Sequence, residues 1–280
     1  MNRPVVVGVD GSPSSLVAAE HAARAALLRS CPLHLVHGYL HPLGYGIPLN
    51  PYELGVPAPN EEAGKMLEQT AADLAGRWPG LEVAVRQVAG GPGATLVEES
   101  RRAELVVVGS RGHGGFAGLL LGSVGTQVAA HAHCPVLVVR PAEEPITVDG
   151  PVLVGVDGSE AAELAVGYAA EEAARRGAEL VVAHVDRPDE EGPAQTGDLV
   201  ETAAAAARGS HPGLTVTVRL LLADKPEPAL IEASSGAALV VVGTRGRGGF
   251  AGMLLGSVSQ SLVQHAHCPV LVAHPYGQAR

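Results

Sequence analysis

The chain of 280 residues contains the same series of motifs twice, and this duplication constrains the fold more than any other feature. VVVGVDGS at 5–12 returns as VLVGVDGS at 152–159, and HAHCPVLVV at 131–139 returns as HAHCPVLVA at 265–273. The period is too long for a solenoid of short repeats. It predicts two homologous domains, 1–141 and 151–280, joined by a linker at 142–150 that is rich in proline and acids.

Each half alternates short β-branched runs with alanine-rich segments. The runs do not alternate with polar residues, which is typical of strands buried on both faces. Ser12 is expected to cap a helix over 13–29, with Pro13 in its first position and Leu16 and Ala19 on its buried side. The pattern predicts an α/β fold in which each domain is a doubly wound, five-stranded parallel sheet with helices on both faces.

Composition excludes several classes of protein. The net charge is −10 and no Lys/Arg-rich run occurs, so nucleic acid is not an expected partner. No apolar run approaches the roughly 18 residues that span a bilayer, and the first residues do not resemble a signal peptide. Three cysteines, an odd number, do not suggest a disulfide framework. We therefore expect a cytoplasmic protein without a membrane segment.

The longest repeated motif is rich in glycine. GSRGHGGFAGLLLGS at 109–123 returns as GTRGRGGFAGMLLGS at 243–257, with three differences that include Ser110/Thr244 and His113/Arg247. Ser123 is expected to cap the next helix, and a helix N-terminus is an anion site. No Asp or Glu lies between Arg111 and Ala142 or after Thr244. The loops therefore predict phosphate binding. A side chain at Gly122 or Gly256 is expected to block the backbone's approach, and to clash if φ is positive.

One acid follows the first strand of each half. In an open α/β sheet, ligands bind at the carboxyl ends of the strands, where the strand order reverses. Asp10 and Asp157 would meet the glycine loop there and accept hydrogen bonds from ribose hydroxyls or a base amine, which predicts a nucleotide. The alternative is that each acid only shapes an Asp-Gly-Ser turn. No P-loop motif occurs, and GHGGFA at 112–117 follows the wrong strand for a nicotinamide site.

Both halves resemble universal stress protein domains, whose ATP-binding motif is G-x2-G-x9-G-[ST]. The resemblance implies the strand order 3-2-1-4-5, pairing of the domains through their fifth strands, a homodimer of tandem chains, and ATP bound with Mg²⁺. The expected cofactor-binding residues are Asp10, Gly38, Val108, Gly109, Gly112, Gly115, Gly122, Ser123 and Val124 in the first domain, and Asp157, Val185, Val242, Gly243, Gly246, Gly249, Gly256, Ser257, Val258 and Ser259 in the second.

The resemblance also assigns roles. Gly38 and Val185 fall where a residue just past strand two lines the adenine, and Val124 and Val258 would offer backbone N–H groups to the phosphates. Ser259 keeps a small hydroxyl residue of the family, whereas its counterpart is Gly125. The implied function is an ATP-binding regulator of the stress response. A slow ATPase or nucleotide-transfer enzyme remains open, as does a scaffold with a structural nucleotide.

Other features have competing interpretations. HAHC favours a helix end with a buried thiol over a zinc site. His37 and His184, at the end of strand two, favour a structural role over a catalytic one. Arg111 and Arg245 either pair with phosphates or are exposed surface charges. The extra segment 39–60 of the first half is expected to enclose the first site, or else to be a surface loop.

Overall fold

A computed structural model describes residues 3–39, 61–112, 121–140, 149–186, 193–247 and 255–277. Except for Tyr39, the predicted insertion 39–60 lies outside them. By its internal contacts the chain divides into two units. The first contains Met1–Cys134 with Tyr276–Arg280, and the second contains Pro135–Pro275.

The elements of the first unit are β1 (Val5–Gly8), α1 (Pro13–Arg29), β2 (Leu33–Tyr39), α2 (Glu61–Arg77), β3 (Val83–Ala89), α3 (Pro92–Glu99), β4 (Leu105–Gly109) and α4 (Ser123–His131). The four strands are parallel, in the order β3-β2-β1-β4. Helices α1 and α2 pack on one face, and α3 and α4 on the other.

The elements of the second unit are β5 (Val136–Val139), β6 (Val152–Gly155), α5 (Glu160–Arg176), β7 (Leu180–Asp186), α6 (Pro193–Ser210), β8 (Val216–Leu222), α7 (Pro226–Ala233), a 3-10 turn (Ser234–Gly236), β9 (Leu239–Gly243), α8 (Ser257–His265) and β10 (Val270–Ala273). Five of its strands are parallel, in the order β8-β7-β6-β9-β10, which is the predicted order 3-2-1-4-5. The predicted doubly wound α/β fold is confirmed.

The fifth strands of the two halves pair with each other. β10 is antiparallel to β5, with Val270 opposite Val138 and Val272 opposite Val136. This confirms the predicted pairing, and it explains why β5 is grouped with the second unit although it precedes the linker. An edge strand with a partner no longer exposes a free row of backbone donors and acceptors.

Helix α1 begins as the sequence predicts. Ser12 is its N-cap, accepts a hydrogen bond from the Ser15 amide at 3.2 Å, and precedes Pro13. The buried face is a stripe of alanines that includes Ala19 and Ala22, and small side chains let the helix approach the sheet closely. Leu16 is 41% exposed, so its predicted place on the buried side is wrong. It lies instead in a groove between α1 and α2.

The sheet interior is apolar on both faces. Val5, Val6 and Val7 of β1 and Val106 and Val107 of β4 are all buried, as expected for strands covered by helices on each side. Within the described residues, no helix is both long and apolar enough to span a membrane.

Candidate functional site

In each unit the predicted acid and the first glycine of the motif lie at the carboxyl ends of neighbouring parallel strands. β1 pairs with β2 on one side and β4 on the other, so the strand order reverses between β1 and β4. Asp10 follows the end of β1, and Gly109 ends β4. In the second unit Asp157 and Gly243 hold the same places beside β6 and β9. Both positions are switch points, where open α/β sheets bind ligands.

Each acid first organises its own turn. Asp10 Oδ1 accepts hydrogen bonds from the Ser12 amide at 3.0 Å and from Ser12 Oγ at 2.6 Å. Asp157 Oδ1 does the same with Ser159, at 3.0 and 2.6 Å. Gly11 and Gly158 between them have φ of 82° and 74°, which suits glycine. The turn role that the sequence left open is therefore present, and it fixes the direction of both carboxylates.

In the second unit the acid also accepts a hydrogen bond from the glycine loop. Asp157 Oδ2 accepts a hydrogen bond from the Arg247 amide at 2.9 Å. Gly246 lies directly against this carboxylate oxygen, and a Cβ there would collide with it. In the first unit, a Cβ on Gly112 would come within 2.6 Å of Asp10 Oδ2. The second glycine of each motif is thus required so that the loop can lie against the acid.

The first glycine of each motif permits another close approach. A Cβ on Gly109 would lie 2.8 Å from the Ser14 carbonyl oxygen, and one on Gly243 would lie 2.7 Å from that of Ala161. Strand β4 therefore ends against the first turn of α1, and β9 ends against the first turn of α5. A backbone obstacle cannot move aside as a flexible side chain can. Any larger residue at these positions would force the strand and the helix apart.

The third glycine caps the following helix. Gly122 and Gly256 are the N-caps of α4 and α8, so the prediction that Ser123 is the cap is wrong by one residue. The Gly122 amide donates to the Ser110 carbonyl at 2.7 Å, and the Gly256 amide to that of Thr244 at 2.8 Å. This tie pulls the cap toward the end of the preceding strand, so the serine lies inside the helix.

The expected steric need for glycine at the cap is also wrong in part. Gly122 has a φ of −73° and Gly256 a φ of −69°, so neither has the positive φ considered from the sequence. A Cβ on Gly122 would meet nothing nearer than 3.6 Å, whereas one on Gly256 would come within 3.3 Å of Arg245 Cα. The physical reason is that an N-cap residue adopts extended backbone, which any residue tolerates.

Both helix N-termini present unused donors. The first α4 hydrogen bond runs from the Thr126 amide to the Gly122 carbonyl at 3.0 Å, and in α8 the Gln260 amide donates to Gly256 at 2.9 Å. Among the described residues nothing accepts from the Ser123 and Val124 amides, or from their counterparts Ser257 and Val258. Oriented amides at a helix N-terminus favour an anion.

The hydroxyl groups near the loops have different surroundings. Ser259 is buried and its Oγ donates to the Gly243 carbonyl at 2.6 Å, a tie that Gly125 cannot make. Ser123 and Ser257 are exposed. Ser110 is 1% exposed, and its Oγ has no hydrogen-bond partner among the described residues. The Ser259 hydroxyl group thus donates its hydrogen to β9. The backbone amide of Ser259 belongs to the first turn of α8, with the amides of Ser257 and Val258.

The histidines of strand two hold the sheet edge together. His37 Nδ1 donates to the Val9 carbonyl at 2.8 Å, and His184 Nδ1 donates to that of Val156 at 2.6 Å. A carbonyl only accepts, so the proton is on Nδ1 in both rings. The structural role predicted for these histidines is confirmed, because each ring braces the turn that carries Asp10 or Asp157.

The residues predicted to line the base lie inside strands. β2 continues to Tyr39 and β7 to Asp186, so Gly38 and Val185 are not past strand two as expected. The strands run further because the β2–β3 and β7–β8 ladders extend to these ends. A Cβ on Gly38 would be 2.6 Å from Pro92 Cα, which lies on the α3 face of the sheet.

The remaining predicted residues are two valines, two arginines and two glycines. Val108 and Val242 are buried, at 3% and 5% exposure, and lie in β4 and β9 one residue before the loop. Arg111 and Arg245 are exposed, and the Arg111 amide donates to Ser14 Oγ at 3.3 Å. Gly115 and Gly249 lie outside the described residues.

The HAHC segments are helix ends with buried thiols, as predicted. α4 ends at His131 and α8 at His265, and burial raises the pKa of Cys134 and of Cys268 to about 12. Ser100 Oγ accepts from the His133 amide at 2.8 Å, and Ser234 Oγ accepts from that of His267 at 2.9 Å. Within the described part of the chain, no three His, Cys, Asp or Glu side chains cluster as metal ligands would.

The sequence profile of the universal stress protein family matches residues 1–140 and 150–274. The chain belongs to this family. It is 39% identical to a universal stress protein of Mycobacterium tuberculosis H37Rv over 288 residues, which cover 96% of this chain and 95% of that protein.

Solved structures of family members resemble the chain as well. A universal stress protein from Archaeoglobus fulgidus has a TM-score of 0.76 at 24% identity, covering 98% of this chain and 99% of its own. A universal stress protein solved in complex with cAMP is 32% identical over 49% of this chain and 96% of its own, with a TM-score of 0.38.

Sequence reasoning missed the contacts that tie each loop in place. It did not foresee the bond between Arg247 and Asp157, the Ser14 acceptor of the first loop, or the unpartnered Ser110 hydroxyl. The DGS triplets carried a readable signal for the turn, because Asp commonly accepts from an amide two residues on. The other contacts join residues about 90 or more positions apart, which no local pattern reports.

Proposed function

We propose that each domain binds one nucleotide, that the ligand is ATP with Mg²⁺, and that occupancy regulates the protein's response to stress. One observation carries the proposal. In each unit a helix N-terminus with unused amides and a fixed carboxylate share the switch-point edge of the sheet. The amides suit phosphate, and the carboxylate suits a donor such as a ribose hydroxyl.

Charge supports this division of the site. A carboxylate repels phosphate, so the acid has to serve the uncharged end of the ligand. The loop segments carry no acids from Arg111 to Ala142 or after Thr244, although the chain has a net charge of −10. Mg²⁺ keeps several waters and binds substrate phosphates, so in this arrangement it would lie with the phosphates and away from Asp10 and Asp157.

The remaining expectations belong to the same proposal. Residues 1–141 and 151–280 are the two functional domains. Tandem chains form a homodimer and work in the cytoplasm. The bound nucleotide acts as a signal whose presence changes the shape or the partners of the chain.

The serines at the first helical position give a sharp test. Ser123 and Ser257 are exposed, so replacement leaves the core unchanged. In Ser123→Asp and Ser257→Asp the new carboxylate occupies the anion position, and an acid in the first turn stabilises a helix. ATP binding should be lost at one site in each variant and at both in the double variant, without a fall in melting temperature.

Ser123→Asn and Ser257→Asn are the matched controls, because they have the same shape without the charge. Titration calorimetry of the unaltered chain should give two ATP per chain, falling to one in each Asp variant and remaining two in each Asn variant. Equal binding by the unaltered chain and the double Asp variant would contradict the assignment.

A further inference from the structure

In each unit a backbone amide near the start of the glycine loop donates to a side-chain oxygen outside the loop. In the first unit, Ser14 Oγ accepts a hydrogen bond from the Arg111 amide at 3.3 Å. The corresponding residue of the second unit is Ala161, which has no hydroxyl. In the second unit, a loop amide two residues further along, that of Arg247, donates to Asp157 Oδ2 at 2.9 Å. The sequence of the first copy has His113 in place of Arg247.

This second tie uses the acid that the nucleotide should meet. A carboxylate has about four acceptor positions. Asp157 uses three of them, for the Ser159 amide, Ser159 Oγ and the Arg247 amide. The Arg247 backbone therefore lies beside the acceptor position that is left for a ligand.

The Arg247 side chain lies against the next residue of the turn. Gly158 has a φ of 74° and no side chain, and the guanidinium lies against it. A Cβ on Gly158 would overlap Arg247 Nη2 and would lie 3.0 Å from its Cζ and 2.9 Å from Leu199 Cδ1 of α6. The guanidinium thus fills the space over the turn next to Asp157.

We propose that Arg247 is a clasp that closes the second site when no nucleotide is bound. The inference rests on the proposed function. A ribose or base that reaches Asp157 needs the space over Gly158, so the guanidinium must swing away first. Binding then occurs only from the open state, and the apparent affinity falls by the open fraction. The second site should load more slowly than the same site without this side chain.

The test uses the full chain with Ser123→Asp, so that only the second site takes nucleotide. Stopped-flow association rates are measured for a fluorescent ATP and for a fluorescent adenosine. Arg247→Ala removes the guanidinium and keeps the backbone amide. Both ligands should bind about tenfold faster or more if the open state is populated at about 10% or less. Arg247→Lys, which keeps the charge, should fall between the two.

The uncharged ligand separates a clasp from a phosphate-attracting cation. If Arg247→Ala speeds both ligands, the clasp is supported. If it slows ATP and leaves adenosine unchanged, Arg247 attracts phosphate and the clasp is refuted. Unchanged rates for both also refute it. Failure of the Ser123→Asp chain and the unaltered chain to bind any ATP would instead refute the proposed function, so the two failures are distinct.

Discussion

The carboxylate of Asp157 offers a perturbation whose effect can be worked out contact by contact. Asp157→Asn keeps one side-chain oxygen that can still accept from the Ser159 amide and hydroxyl. The other oxygen becomes an NH₂ group, which faces the Arg247 amide as a second donor. The substitution therefore keeps the turn, opens the loop's tie, and removes the charge that should accept from the ligand.

The magnitudes of these effects differ. The Arg247 amide lies in an exposed residue, so water replaces its lost partner and the free energy of unfolding should change by only about 1 kcal/mol. The loss of a charge-assisted hydrogen bond to the ligand costs about 1.5–3 kcal/mol. That corresponds to a roughly 10- to 100-fold weaker affinity for ATP. Free triphosphate should bind as before or slightly more tightly, because a nearby negative charge is gone.

Calorimetry with ATP and with inorganic triphosphate measures both effects in the Ser123→Asp chain. Asp224→Asn, which removes an exposed acid of the same unit, controls for net charge. Asp157→Ala in this chain, and Asp10→Ala in the Ser257→Asp chain, should change the affinities in the same direction. If ATP and triphosphate weaken equally, the carboxylate does not accept from the ribose or the base, and the division of the site into two ends is refuted.

Three further predictions concern stability. Ser259→Ala should lower the free energy of unfolding of the second unit by about 1–2 kcal/mol, because the Gly243 carbonyl loses its buried donor. Gly125→Ala should not lower that of the first unit. Urea titrations of the two variants measure both values. Burial raises the pKa of Cys134 and of Cys268 to about 12, against an ordinary value of 9.0. The neutral thiols therefore stabilise the fold fully below about pH 9, and this stabilisation is lost as the pH rises toward 12. Between about pH 8 and about pH 10, the free energy of unfolding should fall less in Cys134→Ala than in the unaltered chain. Val138→Pro or Val272→Pro should weaken the antiparallel β5–β10 ladder and make denaturation less cooperative, and an unchanged transition would count against that pairing role.

The fold was predictable because both halves of the sequence show the same order of strand and helix patterns. The buried β-branched runs and the caps such as Ser12 are local signals, and the structure confirms them. The place of Asp10 beside Gly109 was predictable from topology, because parallel strands end at one edge. The cap at Gly122 was missed because it depends on a hydrogen bond to Ser110, twelve residues away and across the loop.

The side-chain environments of the loops were less predictable. Leu16 was placed on the buried face by its hydrophobicity, but the alanine stripe decides which face of α1 meets the sheet. Ser259 and Gly125 differ by a single hydroxymethyl group in the sequence, yet one ties α8 to β9 and the other cannot tie α4 to β4. Such contacts depend on how the helix and the strand approach each other in the folded chain.

The identity and number of the nucleotides that the chain binds test the proposed function most directly. The purified chain is denatured, the released small molecules are identified by mass, and the emptied and refolded chain is titrated with that nucleotide. We expect an adenine nucleotide, two binding sites in the unaltered chain, and one in each of Ser123→Asp and Ser257→Asp. An absence of released nucleotide together with no detectable binding of ATP at about 1 mM, where even a weak site of about −4 kcal/mol is half filled, would contradict it.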